Sequence, residues 1–410
     1  MTRVPTHAEP WQVEEVGPAS SVGAAHWATL SAGHSLYSGP DWIRHADLMR
    51  DGVPGHLVLF EGDRPVSALP TYTFEGTRPF YYDPDAVLGL HRAEGSDDES
   101  DGDRPPVCVA GTRLGYTSEF LTGALTDPGR RAHAARALLD AFRRRCADRG
   151  EPGAMLYVTD DSLALVLDDL VPDDQVVLMD GSVDLVVPSG GLDGYRDVVG
   201  KSRWKQFRHE MRRFESEGCE LRILPMGDHL EEMGALAHQV SLRYGHDMTL
   251  QAEIEKLRDQ AERLKDCVVM AAFRKGEMVG FTQFFLSGST MFARGHGVAE
   301  EYGRRASVYF NLTYYAAIRW AAEHGYERID LGPDSFDAKI IRGGRLHARW
   351  ALVIAPDWSE EQRRLVGERQ ERMLSEFRTV DERVVTPTVH AVARRQGWET
   401  LLDGQPSAAG

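Results

Sequence analysis

The chain has 410 residues, 42% of them hydrophobic and 27% charged, with a formal net charge of −16. That length allows two or three domains with cores of their own. The acidic balance excludes a surface that grips nucleic acid all over, so any such contact needs a local basic patch. Cys108, Cys146, Cys219 and Cys267 lie far apart with no CxxC spacing and read as reduced thiols; no metal site is expected. The N-terminus has no apolar leader, and no run approaches the ~18 apolar residues of a membrane span. A cytoplasmic protein without a membrane partner is expected.

From Trp11 the pattern predicts a strand, two helices and the hairpin HLVLFEGDRPVSALPTYTF, which turns at Gly62 and Asp63. The acidic Gly- and Ser-containing stretch 92–106 cannot bury apolar area and reads as a surface loop, with a lid over a site as the functional alternative. A helix over 127–149, the strand MLYVTD and the helix DSLALVLDDL follow. The second half opens with the strand SVDLVVP, a helix over 192–217, the strand CELRIL and two helices reaching Leu264. Next come the hairpin CVVMAAFRKGEMVGFTQFFLSG, turning at Lys275 and Gly276, and the strand TMFARGHGV. A long helix from Ala306, a strand over 328–331, the strand ARWALVI and two helices complete the chain. Each half runs strand, helices, hairpin, strand–helix–strand. The order predicts an α+β fold of two similar domains, 1–175 and 176–400, each with a mixed, largely antiparallel sheet, and a flexible tail over 401–410.

Three places carry candidate chemistry. On the helix over 192–217, Trp204, Phe207, Met211 and Phe214 form an apolar stripe, and Lys201, Lys205, Arg208 and Arg212 a basic stripe beside it. With Arg203 and Arg213 there are six cations against one Glu within residues 201–213. A solvated face accounts for such a run; phosphate binding is the functional reading of a reversed sign on an acidic chain. After the strand at 328–331 stand Asp330, Asp334, Asp337, Lys339 and Arg342. They form either a salt-bridge net or a site. In the second case the carboxylates hold or deprotonate an amine, Lys339 stabilises an oxyanion or a phosphate, and Arg342 grips an acidic group. Third, RGHG ends a strand with Arg294 and His296, the latter a proton acceptor or a structural imidazole. Tyr309 and Asn311 open the long helix as candidate substrate contacts, in a set (Tyr309, Tyr314, Tyr315, Trp320) whose spacing is mostly that of a core. His238 and His246 have no partner at a metal-like spacing. No GxSxG elbow and no Cys placed with a His suggests a nucleophile.

KSRWKQFRHEMRRFESEGCEL, YFNLTYYAAIRWAAEHGYERIDLG and AKIIRGGRL together resemble a tandem branch of the GNAT acyltransferase fold. That branch is related to the Fem peptidyl transferases and to peptidoglycan biosynthesis/recognition-like proteins. The resemblance covers 183–355; the first half agrees in element order and in SLYSGPDWIRHADL. It departs where the group has Glu-His before the lysine and this chain has Asp337 and Ala338. The resemblance implies acyl transfer to an amine. One donor is aminoacyl-tRNA, with a small-molecule amine as acceptor in specialised, antibiotic-type metabolism and no cofactor. The other is acyl-CoA, and a non-catalytic binding scaffold is the third reading. GNAT folds bind pyrophosphate at the start of the helix after the fifth strand. The equivalent EEYGRRASVYF has one glycine, Gly303, flanked by Arg304 and Arg305 and preceded by Glu300 and Glu301, a poor CoA loop. Donor phosphates would then meet Lys201, Arg203, Lys205, Arg208, Arg212, Arg304 and Arg305. Asp334, Lys339 and His296 would be catalytic, and Asp330, Asp337, Arg342, Arg294, Tyr309 and Asn311 would hold substrate.

Overall fold

The structure, a computed structural model, describes residues 11–76, 78–90, 105–245 and 248–403. Most of the acidic stretch 92–106, His246 and residues 404–410 therefore lie outside the described residues.

The first part of the chain runs through β1 (Trp11–Glu15), α1 (Ala24–Leu30), α2 (Pro40–Asp47), β2 (Val53–Pro54), β3 (Leu57–Glu61), β4 (Arg64–Leu69), β5 (Thr71–Phe74) and α3 (Pro84–Val87). It continues through β6 (Val107–Ala110), α4 (Pro128–Arg149), β7 (Gly153–Val158) and α5 (Asp160–Ala164). The helix expected over DSLALVLDDL is thus a single α-turn followed by a 3₁₀ turn, Leu167–Asp169. The middle part comprises β8 (Gln175–Val186), α6 (Tyr195–Ser216), β9 (Cys219–Leu224), α7 (Leu230–Arg243), α8 (Leu250–Arg263), β10 (Cys267–Arg274), β11 (Glu277–Ser287) and β12 (Thr290–Val298). Beyond it lie α9 (Glu300–Arg305), α10 (Val308–Phe310), a π-helical turn at Asn311–Ala316, α11 (Ala317–Glu323), β13 (Arg328–Gly332) and α12 (Phe336–Ile340). The chain closes with β14 (Arg345–Ile354), α13 (Glu360–Val380), α14 (Pro387–Gln396) and α15 (Glu399–Asp403).

Two units result: Met1–Gly181 together with His347–Gly410, and the contiguous Ser182–Leu346. The second domain expected at 176–400 therefore ends earlier, because the chain from His347 onward belongs to the first unit. Strand β14 carries Trp350 and Leu352 against β7, opposite Val158 and Met155. An apolar strand pattern shows that a strand is buried, not which sheet receives it.

Each unit has a mixed sheet. In the first, β2, β5, β6, β7 and β14 lie side by side, antiparallel except for the parallel pair β6 and β7, and β1, β3 and β4 form a separate antiparallel sheet. In the second the order is β8, β13, β12, β11, β10, β9, with β12 and β13 the parallel pair. A parallel pair requires a crossover helix. Helix α4 supplies it in the first unit, and the helical run from Val308 to Glu323 in the second. The α4 ends follow local signals: the Asp127 carboxylate accepts from Arg130 N, Pro128 opens the first turn, and Gly150 closes the helix at φ 63°. The β10–β11 hairpin turns where expected, with Lys275 and Gly276 both at positive φ, as a two-residue loop matching strand twist requires.

Two helices differ from expectation near the site. Helix α6 starts at Tyr195 and is broken at Gly200, whose φ of 81° no helix accepts. The long helix begins at Val308, after Ser307 in the left-handed region, and widens into the π-turn at Asn311–Ala316. The residues before it, expected as a phosphate loop, form α9 instead.

Candidate active site

All the candidate site residues lie in the second unit. Strand β13 delivers the chain to a turn in which Gly332, Asp334 and Ser335 have φ of 70°, 67° and 51°. Two consecutive non-glycine residues in that region store strain, which persists only where neighbours hold it. Lys339 is one restraint. It is 4% exposed, and its ammonium donates to the carbonyl oxygens of Gly332 (2.9 Å) and Pro333. The Asp330 carboxylate is another, accepting from Gly332 N at 2.8 Å. Asp334 and Asp337 stand exposed on the outside of the turn. Of the five charged residues of this loop, Lys339 and Asp330 hold the backbone and the other two acids face solvent.

The fifth, Arg342, is 2% exposed and is turned toward α6. Its guanidinium stacks over Phe310, 3.5 Å from the ring centroid, with Phe207 at 5.0 Å and Tyr314 at 5.5 Å. It donates to both carboxylate oxygens of Glu210 at 3.2 Å and to Ala338 O at 3.2 Å. Glu210 also accepts from the Tyr315 hydroxyl, and its backbone oxygen accepts from Asn311 Nδ2 at 3.3 Å. The acidic group that Arg342 grips therefore belongs to this chain, and Asn311 ties the π-turn to α6. Tyr195 closes the assembly by donating to Arg342 O at 2.6 Å. Glu210 carries a signal in the sequence. It sits three residues after Phe207 and four before Phe214, on the apolar stripe, where a carboxylate requires a buried partner.

His296 lies on β12 beside a bulge. Gln283 pairs with Gly295 and Phe284 with Ala293, leaving Arg294 unopposed and re-aiming the strand. The imidazole is solvent-exposed, yet burial is the leading cause that lowers its pKa from 6.5 to about 4, with Lys339 and Arg243 adding to it. The ring lies on the face of the sheet turned toward the π-turn, because its neighbour Gly297 faces α7 and its cross-strand partner Thr282 faces Thr313. Tyr309 packs on it with ring centroids 5.1 Å apart. Burial raises the Tyr309 phenol above its ordinary pKa, so it stays protonated at neutral pH. Beneath them Thr282 and Thr313 share a hydrogen bond of 2.9 Å between β11 and the π-turn. Of the expected residues, His296 and Tyr309 are thus in contact, and the Lys339 charge acts on the imidazole.

The basic stripe of α6 takes its own position. Lys201, Arg203, Lys205, Arg208 and Arg212 are exposed, whereas Phe207, Glu210 and Phe214 are buried. At about 100° per residue the Lys201–Lys205–Arg208–Arg212 row lies roughly 130° around the helix from Phe207. The inner face of α6 therefore holds the Arg342 turn, and the cations look outward from the same helix. Arg304 and Arg305 are elsewhere. Arg213, on a different flank of α6, donates to their carbonyl oxygens, and Arg305 pairs with Glu217 at 2.7 Å and Glu301 at 3.2 Å. Among the described residues no cluster of His, Cys, Asp and Glu is arranged to hold a metal ion, and no helix is long and apolar enough to cross a membrane.

The architecture is α+β with two units, the second inserted in the sequence of the first, each with a mixed sheet and helices. Residues 191–384 match the FemAB-like family model, described as peptidoglycan biosynthesis/recognition. The fold is shared with the crystal structure of FemX (TM-score 0.55, 10% identity, 83% of this chain and 97% of that one). It is shared also with the C-terminal domain of a putative lysylphosphatidylglycerol synthetase from Agrobacterium fabrum (TM-score 0.51, 10% identity, 87% and 98%). No curated protein sequence matches this chain.

Proposed function

We propose that the protein is an acyltransferase that forms an amide, moving an aminoacyl group from aminoacyl-tRNA to the amine of a small molecule in specialised metabolism. The observation that carries this reading is the outward basic face of α6, set on the helix whose inner face holds the Lys339–Arg342 turn. From Lys201 to Arg212 the four cations span ~16 Å at 1.5 Å per residue, on a convex surface. A row of that length suits successive phosphates of a nucleic-acid strand, which Lys and Arg neutralise without reading sequence. A single pyrophosphate asks instead for a concave cradle of backbone N–H groups. The segment where acyl-CoA would find one is α9, with Glu300 and Glu301 in its first turn, where they repel phosphate.

The chemistry asks little of the protein, because an aminoacyl ester is already activated. The amine nitrogen attacks the ester carbonyl, the C–N bond forms, the C–O bond to the ribose breaks, and the proton lost by the amine goes to the ribose oxygen. Orientation supplies much of the rate. The Lys339 charge stabilises the developing oxyanion. His296 stays neutral at pH 7 and accepts a hydrogen bond from the amine, and the Tyr309 hydroxyl donates on the opposite side. Asp334 and Asp337, at the mouth of the turn, attract the acceptor's ammonium before it loses its proton.

The test incubates the protein with tRNA charged with labelled amino acids and a panel of amines. Label should enter an acid-stable product, and ribonuclease treatment beforehand should abolish it. Transfer that survives ribonuclease and follows acyl-CoA would replace this reading with the CoA-dependent one. Absence of transfer from either donor would leave a binding scaffold.

A further inference from the structure

Strand β9 is the free edge of the second unit's sheet: β10 pairs along one side, and among the described residues no strand lies along the other. It meets β10 from Cys219 to Leu224 in unbroken register and contains no proline or glycine. Natural edges are blunted by bulges, prolines or charges that repel a second strand. β9 has neither of the first two, and its charges take another form. Glu220 and Arg222, both exposed, share one face and pair at 3.1 Å. The Arg222 guanidinium also lies over the Phe273 ring, 4.2 Å from its centroid, which keeps it along the strand. On the other face Leu221 and Ile223 are 39% and 44% exposed, although their β10 partners Ala272 and Met270 are fully buried. The apolar layer thus runs to the edge and stops there uncovered.

We infer that β9 is a self-association edge, at which a second copy of this chain adds its own β9 antiparallel and joins the two sheets. Which residues meet follows from the pleat. A two-fold axis perpendicular to the sheet keeps every side chain on its own face, so a residue can oppose only one an even number of positions away. Two registers then use most of the strand, centred on Leu221 or on Arg222. The second sets Arg222 against Arg222 and Glu220 against Leu224. The first sets Glu220 against Arg222 twice, Leu221 against Leu221 and Cys219 against Ile223, so each opposed pair is matched in charge or in apolarity. The strand is complementary to itself in that one register. A single strand pair stands at the small end of protein interfaces, so the dimer should be weak, with a Kd in the micromolar range. It involves neither the donor nor the acceptor of the proposed reaction.

The experiment has two arms. Sedimentation equilibrium of the native chain should show a monomer–dimer balance that shifts with concentration. E220R leaves two arginines on the edge and R222E two glutamates, so each variant alone should self-associate at least about tenfold more weakly. Mixed in equal amounts they oppose unlike charges at both positions and should restore dimer to near the native level, which a loss of fold would not allow. In the second arm L221C and I223C are treated with a short bis-maleimide, with the native chain as the blank. Position 221 meets its own copy across the axis, whereas 223 stands four residues, roughly 13 Å, from its own, so L221C should couple to dimer at least about tenfold faster. A native chain still monomeric at about 0.5 mM, single variants that associate as the native chain does, a mixture no more dimeric than its components, or equal coupling at both positions would overturn the inference. The first of these would leave the edge to a strand from another protein.

Discussion

Glu210→Ala should be among the most damaging single changes in the second unit. The substitution removes the acceptor of Arg342 and of the Tyr315 hydroxyl, and strands a guanidinium that is 2% exposed among Phe207, Phe310 and Tyr314. Leaving a buried charge without its partner costs ~3–5 kcal/mol. Glu210→Gln keeps an oxygen for Tyr315 but loses the charge, and should cost ~1.5–3 kcal/mol. The double variant E210A/R342M puts an apolar chain in the aromatic cage and should recover at least ~2 kcal/mol of the summed single effects. Because the chain has two units, the readout is hydrogen exchange in peptides covering α6 and the π-turn. A loss of ~3 kcal/mol speeds exchange limited by opening of this region about a hundredfold. If E210A changed exchange there by less than about fivefold, or the two substitutions added without coupling, the pair would be peripheral and the reasoning wrong.

Reversing two cations of the outward row, K205E/R208E, should weaken binding of tRNA and flatten the slope of log affinity against log salt by about two, measured by filter binding at several salt concentrations. Stability should move by no more than ~0.5 kcal/mol, because both side chains are exposed. His296 has a folded pKa of about 4 against an ordinary 6.5, so the unfolded chain binds its proton first. Its contribution to stability is complete above pH 6.5 and is lost as pH falls through 4; H296Q should therefore lose less stability than the native chain between those values in urea titrations. Gly297→Ala places a methyl 2.6 Å from the backbone of α7 and should destabilise that contact by ~1–3 kcal/mol, seen as faster exchange in both elements.

The helices and hairpins were legible because their signals are local. The Asp127–Pro128 start and Gly150 stop of α4 and the Lys275–Gly276 turn are each set by a few neighbouring residues. The two stripes of α6 were legible for the same reason, as periodicity survives without knowledge of the partner. The break at Gly200 was visible only as a glycine, since a helix tolerates one unless the backbone needs positive φ. The site was less legible. The partner of Arg342 is 132 positions away, and local spacing carries no information about such a pairing. The α9 helix replaced an expected loop because Glu300 and Glu301 in its first turn and Arg304 and Arg305 in its last favour a short helix.

The excursion of the chain through Ser182–Leu346 before it returns at His347 bears on how the protein is made. During synthesis the usual order, in which the earlier domain finishes first, is inverted. The first unit must wait with the outer edge of β7 unpaired until β14 leaves the ribosome. The inserted unit, being continuous, has its whole sequence available sooner. A stop codon shortly after Gly344 would therefore spare the part translated later and cripple the part translated earlier.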